Sequence, residues 1–136
     1  METRQVGSSG LRVSRLGLGT MTWGRDTPAE DAHALLEMFC DAGGTLIDTA
    51  AAYGAGDAER IVGRLVRELG NRDEVVIATK AGFVIRDGKR IVDTSRRALL
   101  RDLDGSLRRL QSDYLDLWQI HAWGEAPVEE SLETID

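Results

Sequence analysis

Apolar positions follow two different periods along the chain. Short apolar runs typical of buried strands occur in the segments TLID (45–48), DEVVIATK (73–80) and DYLDLWQIH (113–121). Between these runs, apolar residues recur every three or four positions, which is the spacing of one buried face on an α-helix. This second period predicts helices over 28–42, 57–69 and 94–110, and a further helix from 127 onward. The chain is therefore predicted to alternate between strand and helix.

Capping residues mark the ends of several predicted helices. Thr27 followed by Pro28 is typical of an N-cap and a first helical position. The two glycines at 43–44 and the single Gly70 are C-terminal stop signals. We therefore expect the first helix to begin at Pro28 and the second to end before Gly70.

Two further segments have the pattern of β-hairpins. RQVGSSGLRV (4–13) places a Gly-Ser-Ser-Gly turn between two extended runs, which predicts a hairpin at the N-terminus. A short strand, SRLGLGT (14–20), follows it. GFVIRDGKRIVD (82–93) holds Asp87 and Gly88 between two β-prone runs, which predicts a type I′ hairpin inserted after the third strand.

The order of elements limits the architecture to two candidates. Alternating strands and helices form parallel sheets with right-handed crossovers, either as a doubly wound open sheet or as part of a (β/α)8 barrel. A barrel needs eight units and about 250 residues. The 136-residue chain supplies a hairpin and about the first four β-α units, in one domain over 1–136. Because the helical pattern is still running at Asp136, we expect a fragment or the front of a longer protein.

Composition and charge exclude several classes of protein. The chain has 17 basic and 23 acidic residues, a net charge of −6, which argues against nucleic acid or an anionic membrane as the main partner. The start, METRQVGSSG, is polar and unlike a secretory signal. Cys40 is the single cysteine, and the two histidines show no metal-ligand spacing. We expect a cytoplasmic protein without a bound metal.

Four polar side chains follow the ends of successive predicted strands. Asp48, Lys80 and His121 each close a strand, and Tyr53 lies in the loop after Asp48. The carboxyl ends of parallel strands lie on one side of the sheet, where ligands bind. Taken singly, each residue is as well explained by capping, solvation or packing. Their joint placement predicts that they converge on one site.

The chemistry of this set suits proton donation to a carbonyl oxygen. A phenol holds its proton tightly at neutral pH. A neighbouring ammonium stabilises the phenolate, and a carboxylate keeps that ammonium charged and oriented. A neutral imidazole can hydrogen-bond a substrate oxygen. No nucleophile is paired with a base in the sequence pattern, which argues against acyl transfer.

Four segments also carry a resemblance to a known family. DTAAAYG (48–54) resembles the D-T-A-x-x-Y-G signature of the aldo-keto reductases. GLGTMTWG (17–24), VVIATK (75–80) and SLRRLQSDYLDLWQIH (106–121) resemble that family's first strand, Lys-bearing strand and His-bearing strand, in the same order. The resemblance implies a TIM-type (β/α)8 barrel, of which this chain covers about the front half.

The resemblance also implies an activity and a set of site residues. It implies NADPH-dependent reduction of a small aldehyde or ketone, with NADH left open because the family's 2′-phosphate contacts lie in the rear half. The implied catalytic residues are Asp48, Tyr53, Lys80 and His121, with Tyr53 as proton donor. The implied cofactor contacts are Gly19, Thr20, Met21 and Asp48. The implied substrate contacts are Trp23, Tyr53, His121 and Trp123, although packing explains either tryptophan equally well.

Two other functions are compatible with the same residues. The family fold also serves as a non-catalytic binding or regulatory subunit, as in the potassium-channel β-subunits, where the same four residues can persist. The second alternative is an inactive half barrel that self-assembles, because a half barrel leaves unpaired sheet edges. These edges predict self-assembly into a homo-oligomer, and we expect the 136 residues alone to bind cofactor weakly or not at all.

Overall fold

The two apolar periods form the predicted alternation of strands and helices. The structure is a computed structural model that describes residues 1–135. Its helices are α1 (Ala29–Asp41), α2 (Asp57–Leu69), α3 (Arg96–Leu110) and α4 (Val128–Ile135). Its strands are β1 (Thr3–Gln5), β2 (Arg12–Ser14), β3 (Gly17–Gly19), β4 (Leu46–Asp48), β5 (Val76–Ala81), β6 (Phe83–Arg86), β7 (Lys89–Val92) and β8 (Leu117–Ile120). None of the helices in this described part has the length and apolarity needed to cross a membrane.

A four-stranded parallel sheet carries the fold. Its strands lie in the order β3-β4-β5-β8, and a helix follows each of them along the chain. In the sheet register, Asp48 lies opposite Gly19 on one side and Ala78 on the other, and Lys80 lies opposite Gln119. Ile47 and Ile77 are fully buried at the centre of the core between sheet and helices. The parallel order predicted from the sequence is therefore confirmed.

The two predicted hairpins lie at opposite ends of this sheet. β1 pairs with β2, and Ser14 is tied to the start of β4 because its hydroxyl accepts from the backbone N–H of Thr45 at 2.9 Å. β6 pairs with β7 directly after β5 ends. Asp87 and Gly88 have φ of 51° and 72°, as the predicted type I′ turn requires. The second hairpin thus stands at the carboxyl end of the strands.

The starts of two helices differ from the prediction. Pro28, with ψ of 152°, is the N-cap of α1, and Thr27 lies outside the helix. The Thr27 hydroxyl is instead 2.7 Å from the hydroxyl of Thr22, so it is engaged away from the helix N-terminus. α3 begins at Arg96 rather than at 94, because Ser95 caps it and accepts from the backbone N–H of Ala98 at 3.4 Å.

Helices α2 and α3 touch at unusually short range. A Cβ on Gly63 would lie 2.3 Å from the carbonyl oxygen of Leu110, so only glycine allows this approach. The apolar stripe predicted for α2 is buried at Val62 and Leu65, as expected. The same face also buries Glu59, a charged residue that the apolar pattern does not explain. This exception bears on the site described next.

Candidate active site

The fold brings the predicted polar residues to the carboxyl end of the sheet. Asp48 is the last residue of β4, Lys80 lies one residue before the end of β5, and His121 directly follows β8. Because these strands are parallel neighbours, their ends lie side by side. Tyr53 begins the 3-10 turn that follows β4. Strand topology alone therefore places three of the four residues in one row.

Lys80 is the centre of the site. Its ammonium donates to Asp48 Oδ1 at 2.8 Å, to the backbone oxygen of Thr49 at 2.9 Å and to the phenol oxygen of Tyr53 at 3.3 Å. The three protons of an ammonium group are thus all engaged. The Lys80 side chain is 15% exposed and that of Asp48 is 40% exposed. As the phenol oxygen accepts from Lys80, the proton of Tyr53 remains available to a ligand.

An unusual backbone turns Tyr53 back toward Lys80. Gly54, Ala55 and Gly56 have φ of 57°, 53° and 95°, three left-handed residues in succession. Glycine adopts this region at little cost, whereas it is uncommon for alanine. The glycines of the YGAG segment are therefore required by the chain reversal that precedes α2.

His121 is packed between two aromatic rings. Its ring lies edge-on to Tyr53 with centroids 5.8 Å apart, and to Phe83 with centroids 5.1 Å apart. Its Nδ1 is buried and has no hydrogen-bond partner among residues 1–135. Burial lowers the pKa of His121 below its ordinary value of 6.5, and the charge of Lys80 lowers it further, against the opposite effect of Asp48. The imidazole is therefore neutral at neutral pH.

Besides Asp48, the three other residues predicted to contact a cofactor differ in accessibility. Gly19 is exposed at the end of β3, and a Cβ there would meet no described atom within 4 Å. Met21 is 56% exposed. Thr20 is fully buried, and its hydroxyl donates to the backbone oxygen of Asp48 at 3.0 Å. Gly19 and Met21 thus offer open surface, while Thr20 fixes the backbone of Asp48.

The two tryptophans occupy different environments from the four polar residues. Trp23 is 1% exposed and belongs to the hydrophobic core, so the packing interpretation describes its place. It clusters with buried apolar side chains of α1, α2 and the sheet. Trp123 is 62% exposed beside a cleft lined by Ile91, Val92 and Thr94. The structure thus gives Trp123 an accessible ring next to the inserted hairpin.

Two residues that the sequence patterns passed over adjoin the site. Phe83 opens β6 and packs against His121, so the inserted hairpin contributes a wall of the site. A signal was present, because Phe83 comes only three residues after Lys80. Glu59 lies three residues before Val62, on the face predicted to be apolar. A carboxylate on an apolar stripe is the signal that could have identified it.

Comparison with known proteins places the chain in a family. The sequence model described as "Aldo/keto reductase family" matches residues 15–136. The chain therefore belongs to the aldo-keto reductase family, and its parallel sheet is part of that family's (β/α)8 barrel.

Individual relatives show how far the similarity extends. The chain is 37% identical to "Aldo-keto reductase YhdN" of Bacillus subtilis over 99% of its own length and 42% of that protein. It is 38% identical to the Oryza sativa protein named "Probable voltage-gated potassium channel subunit beta", over 100% of its length and 42% of that protein. In structure it matches the holo form of the aldo-keto reductase AKR11C1 from Bacillus halodurans, with a TM-score of 0.89, 36% identity and coverage of 98% and 45%. The chain thus spans less than half the length of these relatives.

Proposed function

We propose that the protein is an NADPH-dependent oxidoreductase that reduces an aldehyde or ketone to an alcohol, with Tyr53 as proton donor. The observation that carries this proposal is the placement of one ammonium, that of Lys80, between Asp48 and Tyr53 at 2.8 Å and 3.3 Å. An ammonium in this position can stabilise the phenolate that forms when Tyr53 gives up its proton. General acid catalysis of this kind contributes about 10²- to 10⁴-fold in rate.

Each side chain has a distinct part in the proton transfer. The O–H bond of Tyr53 breaks and its proton passes to the carbonyl oxygen of the substrate. The phenolate that remains is stabilised by the hydrogen bond from Lys80, whose charge is held in place by Asp48. The neutral imidazole of His121 lies beside the Tyr53 ring and can direct a carbonyl oxygen by hydrogen bonding. A neutral imidazole does so without placing a third charge in the site.

The accessible residues at this end of the sheet fit a nicotinamide cofactor. Gly19 leaves open space beside Asp48, and the buried Nδ1 of His121 lacks a partner within residues 1–135. Gly19, Met21 and Asp48 would hold the nicotinamide end. When bound, NADPH supplies the hydride that the carbonyl carbon accepts. NADH would supply the same chemistry, and the preference for NADPH rests on the family resemblance.

A non-catalytic function of the same fold is the second candidate. The relative named as a potassium channel subunit beta is 38% identical, close to the 37% of the relative named as a reductase. Identity at this level favours neither function. A regulatory subunit would bind the cofactor and show no turnover.

One assay separates the two functions. The purified chain would be mixed with 4-nitrobenzaldehyde and NADPH, or NADH in parallel, and cofactor oxidation followed at 340 nm. Binding of each cofactor would be measured by nicotinamide fluorescence. We expect turnover, faster with NADPH than with NADH, from chains assembled as a homo-oligomer, because the 136 residues as a monomer are expected to bind cofactor weakly or not at all. Cofactor binding without turnover would favour the regulatory subunit, and the absence of both would contradict the proposal for this chain.

We also propose that the chain forms a homo-oligomer through its sheet edges. β3 and β8 each have one neighbour in the described part of the sheet, so their outer backbone groups are unpaired. The adjoining helix α4 exposes Val128, Leu132 and Ile135. Pairing of β8 of one copy with β3 of another would cover both edges. Sedimentation equilibrium tests this: we expect a dimer or larger species, and a monomer at micromolar concentration would contradict it.

A further inference from the structure

An ion pair with a fully buried carboxylate lies directly behind the site. Glu59 of α2 is fully buried, and its carboxylate faces Arg109 of α3. The Nε of Arg109 donates to Glu59 Oε2 at 2.5 Å, and the hydroxyl of Thr79 donates to Glu59 Oε1 at 2.6 Å. Arg109 also donates from Nη2 to the hydroxyl of Ser106 at 3.3 Å. Both carboxylate oxygens are therefore satisfied.

Two glycines make room for the side chain of Arg109. A Cβ on Gly56 would lie 2.6 Å from Arg109 Cδ, and a Cβ on Gly105 would lie 2.9 Å from its Nη1. Gly56 ends the 3-10 turn that Tyr53 begins. The backbone of the Tyr53 turn thus packs directly against the arginine.

The ion pair contacts both elements that carry the central hydrogen bond of the site. Thr79 precedes Lys80 in β5, and consecutive side chains of a strand point to opposite faces. Glu59 therefore holds β5 from one face while Lys80 reaches Tyr53 from the other. Arg109 packs against the turn of Tyr53 at Gly56. The Lys80–Tyr53 contact, at 3.3 Å, is the longest of the three that Lys80 makes.

We infer that Glu59 and Arg109 form a positioning pair that sets the distance between Lys80 and Tyr53. Neither residue needs to touch the substrate. A buried ion pair is a poor means of stabilisation, because apolar residues of the same volume are often at least as stabilising. Its value is geometric, since two hydrogen-bonded oxygens fix β5, α2 and α3 relative to each other. The catalytic consequence rests on the proposed function, whereas the geometric one does not.

The test variant is Glu59→Gln, which keeps the shape of the side chain and removes its charge. Asp116→Asn is the matched control: Asp116 pairs with Arg72 at 2.9 Å and accepts from the backbone N–H of Ile77, at the other end of β5. Both changes weaken an ion pair that holds this strand. The two variants would be compared at temperatures where each is fully folded.

The first measurement is independent of activity. The NOE between the ring protons of Tyr53 and His121 reports the position of the Tyr53 turn, and the chain has only two tyrosines and two histidines. We expect this NOE to weaken at least twofold in Glu59→Gln and to stay unchanged in Asp116→Asn. An unchanged NOE in Glu59→Gln, or an equal loss in both variants, would overturn the inference.

The second measurement is the kinetics of aldehyde reduction. Misplacement by a fraction of an ångström lowers the rate of the chemical step without lowering cofactor affinity. We expect kcat to fall about tenfold or more in Glu59→Gln with KM for NADPH unchanged, and kcat to be retained in Asp116→Asn. If kcat is retained in Glu59→Gln, the pair is structural only. Absence of turnover in the wild type contradicts the proposed function alone, because the NOE still tests the positioning.

A milder variant covers the case in which Glu59→Gln does not fold. Thr79→Val removes only the hydroxyl that donates to Glu59 and keeps the side-chain shape. We expect the same weakening of the NOE, smaller in size, and a fall in kcat of about threefold. An NOE and a kcat equal to those of the wild type would overturn the inference.

Discussion

Two ion pairs lie on opposite faces of strand β5, and they differ in the exposure of their carboxylates. The partly exposed Lys80–Asp48 pair is called the open pair and the Arg109–Glu59 pair the closed pair. On one face, Lys80 pairs with Asp48 at 2.8 Å, and the carboxylate side chain is 40% exposed. On the other, Arg109 pairs with Glu59 at 2.5 Å, and the carboxylate is fully buried. The first pair leaves the proton of Tyr53 available to a ligand, whereas both carboxylate oxygens of the second accept hydrogen bonds from groups within the protein.

The two faces of β5 show how one strand can serve both chemistry and support. Because side chains alternate along a strand, Thr79 and Lys80 point to opposite faces although they are neighbours in sequence. Groups on the open face can meet a ligand, while groups on the closed face hold the backbone that positions them. Each pair should therefore respond differently to substitution.

The largest expected effect comes from the open pair. Lys80→Met removes the ammonium that contacts Tyr53, so we expect carbonyl reduction to fall by about 10²- to 10⁴-fold. Because Asp48 is partly exposed, water can solvate its carboxylate, and we expect little change in the urea midpoint. Steady-state kinetics and urea unfolding would be measured on the same sample. A rate within about twofold of the wild type would show that the open pair has no part in the chemistry.

The closed pair should show the opposite response. Arg109→Met leaves the carboxylate of Glu59 buried without its cation, so we expect a loss of about 3–5 kcal/mol in the free energy of unfolding. Arg15→Met is the control, because Arg15 pairs with Glu2 at the surface and should cost at most about 1 kcal/mol. Urea denaturation gives both values. Equal losses in the two variants would mean that burial does not distinguish these pairs.

A smaller effect is expected where the helices behind the closed pair meet. Gly63→Ala places a Cβ against the carbonyl of Leu110, so α2 and α3 must separate and Arg109 shifts relative to Glu59. We expect a loss of about 1–3 kcal/mol. Gly10→Ala should change stability by less than about 0.5 kcal/mol, because a Cβ there meets no described atom within 4 Å. A neutral Gly63→Ala would contradict the close approach of the helices.

The smallest effect concerns the imidazole on the open face. The pKa of His121 lies below 6.5 in the folded protein because of burial and the charge of Lys80. As pH falls, His121 therefore takes up a proton at a higher pH in the unfolded chain than in the folded protein. Stability is lost as pH falls through about 6.5 and below. We expect the free energy of unfolding to drop more between pH 7.5 and pH 5.5 in the wild type than in His121→Asn. An equal drop would indicate an imidazole with an ordinary pKa, which NMR titration of His121 would show independently.

Much of this arrangement could be predicted from the sequence, because it follows from local patterns. Asp48, Lys80 and His121 stand at strand ends, and strand ends are marked by apolar runs that stop. The type I′ turn at Asp87 and Gly88 follows from φ preferences of single residues. These features depend on neighbours in sequence, so one sequence is enough to find them.

The rest depends on contacts between distant residues. Glu59 pairs with Arg109, which is 50 positions away in sequence. A local pattern shows that a charge lies on an apolar stripe, but it does not predict which distant residue pairs with it. Trp23 lies in the hydrophobic core, where it clusters with apolar residues of α1, α2 and the sheet that are distant in sequence. Pro28, not Thr27, is the N-cap of α1, and the Thr27 hydroxyl is engaged with that of Thr22. These side-chain environments are decided by tertiary packing, which local sequence propensity does not predict.

A comparison of the two tyrosines tests the role of Tyr53 as proton donor most directly. Tyr53 accepts from Lys80, whereas Tyr114 donates to Asp73 at the surface. Tyr53→Phe and Tyr114→Phe each remove one phenol oxygen, and NADPH oxidation with 4-nitrobenzaldehyde would be measured alongside the Kd for NADPH. We expect a fall in kcat of about 10²-fold or more for Tyr53→Phe, with Kd nearly unchanged, and full activity for Tyr114→Phe. Equal activity of the two variants would contradict the assignment of Tyr53 as proton donor.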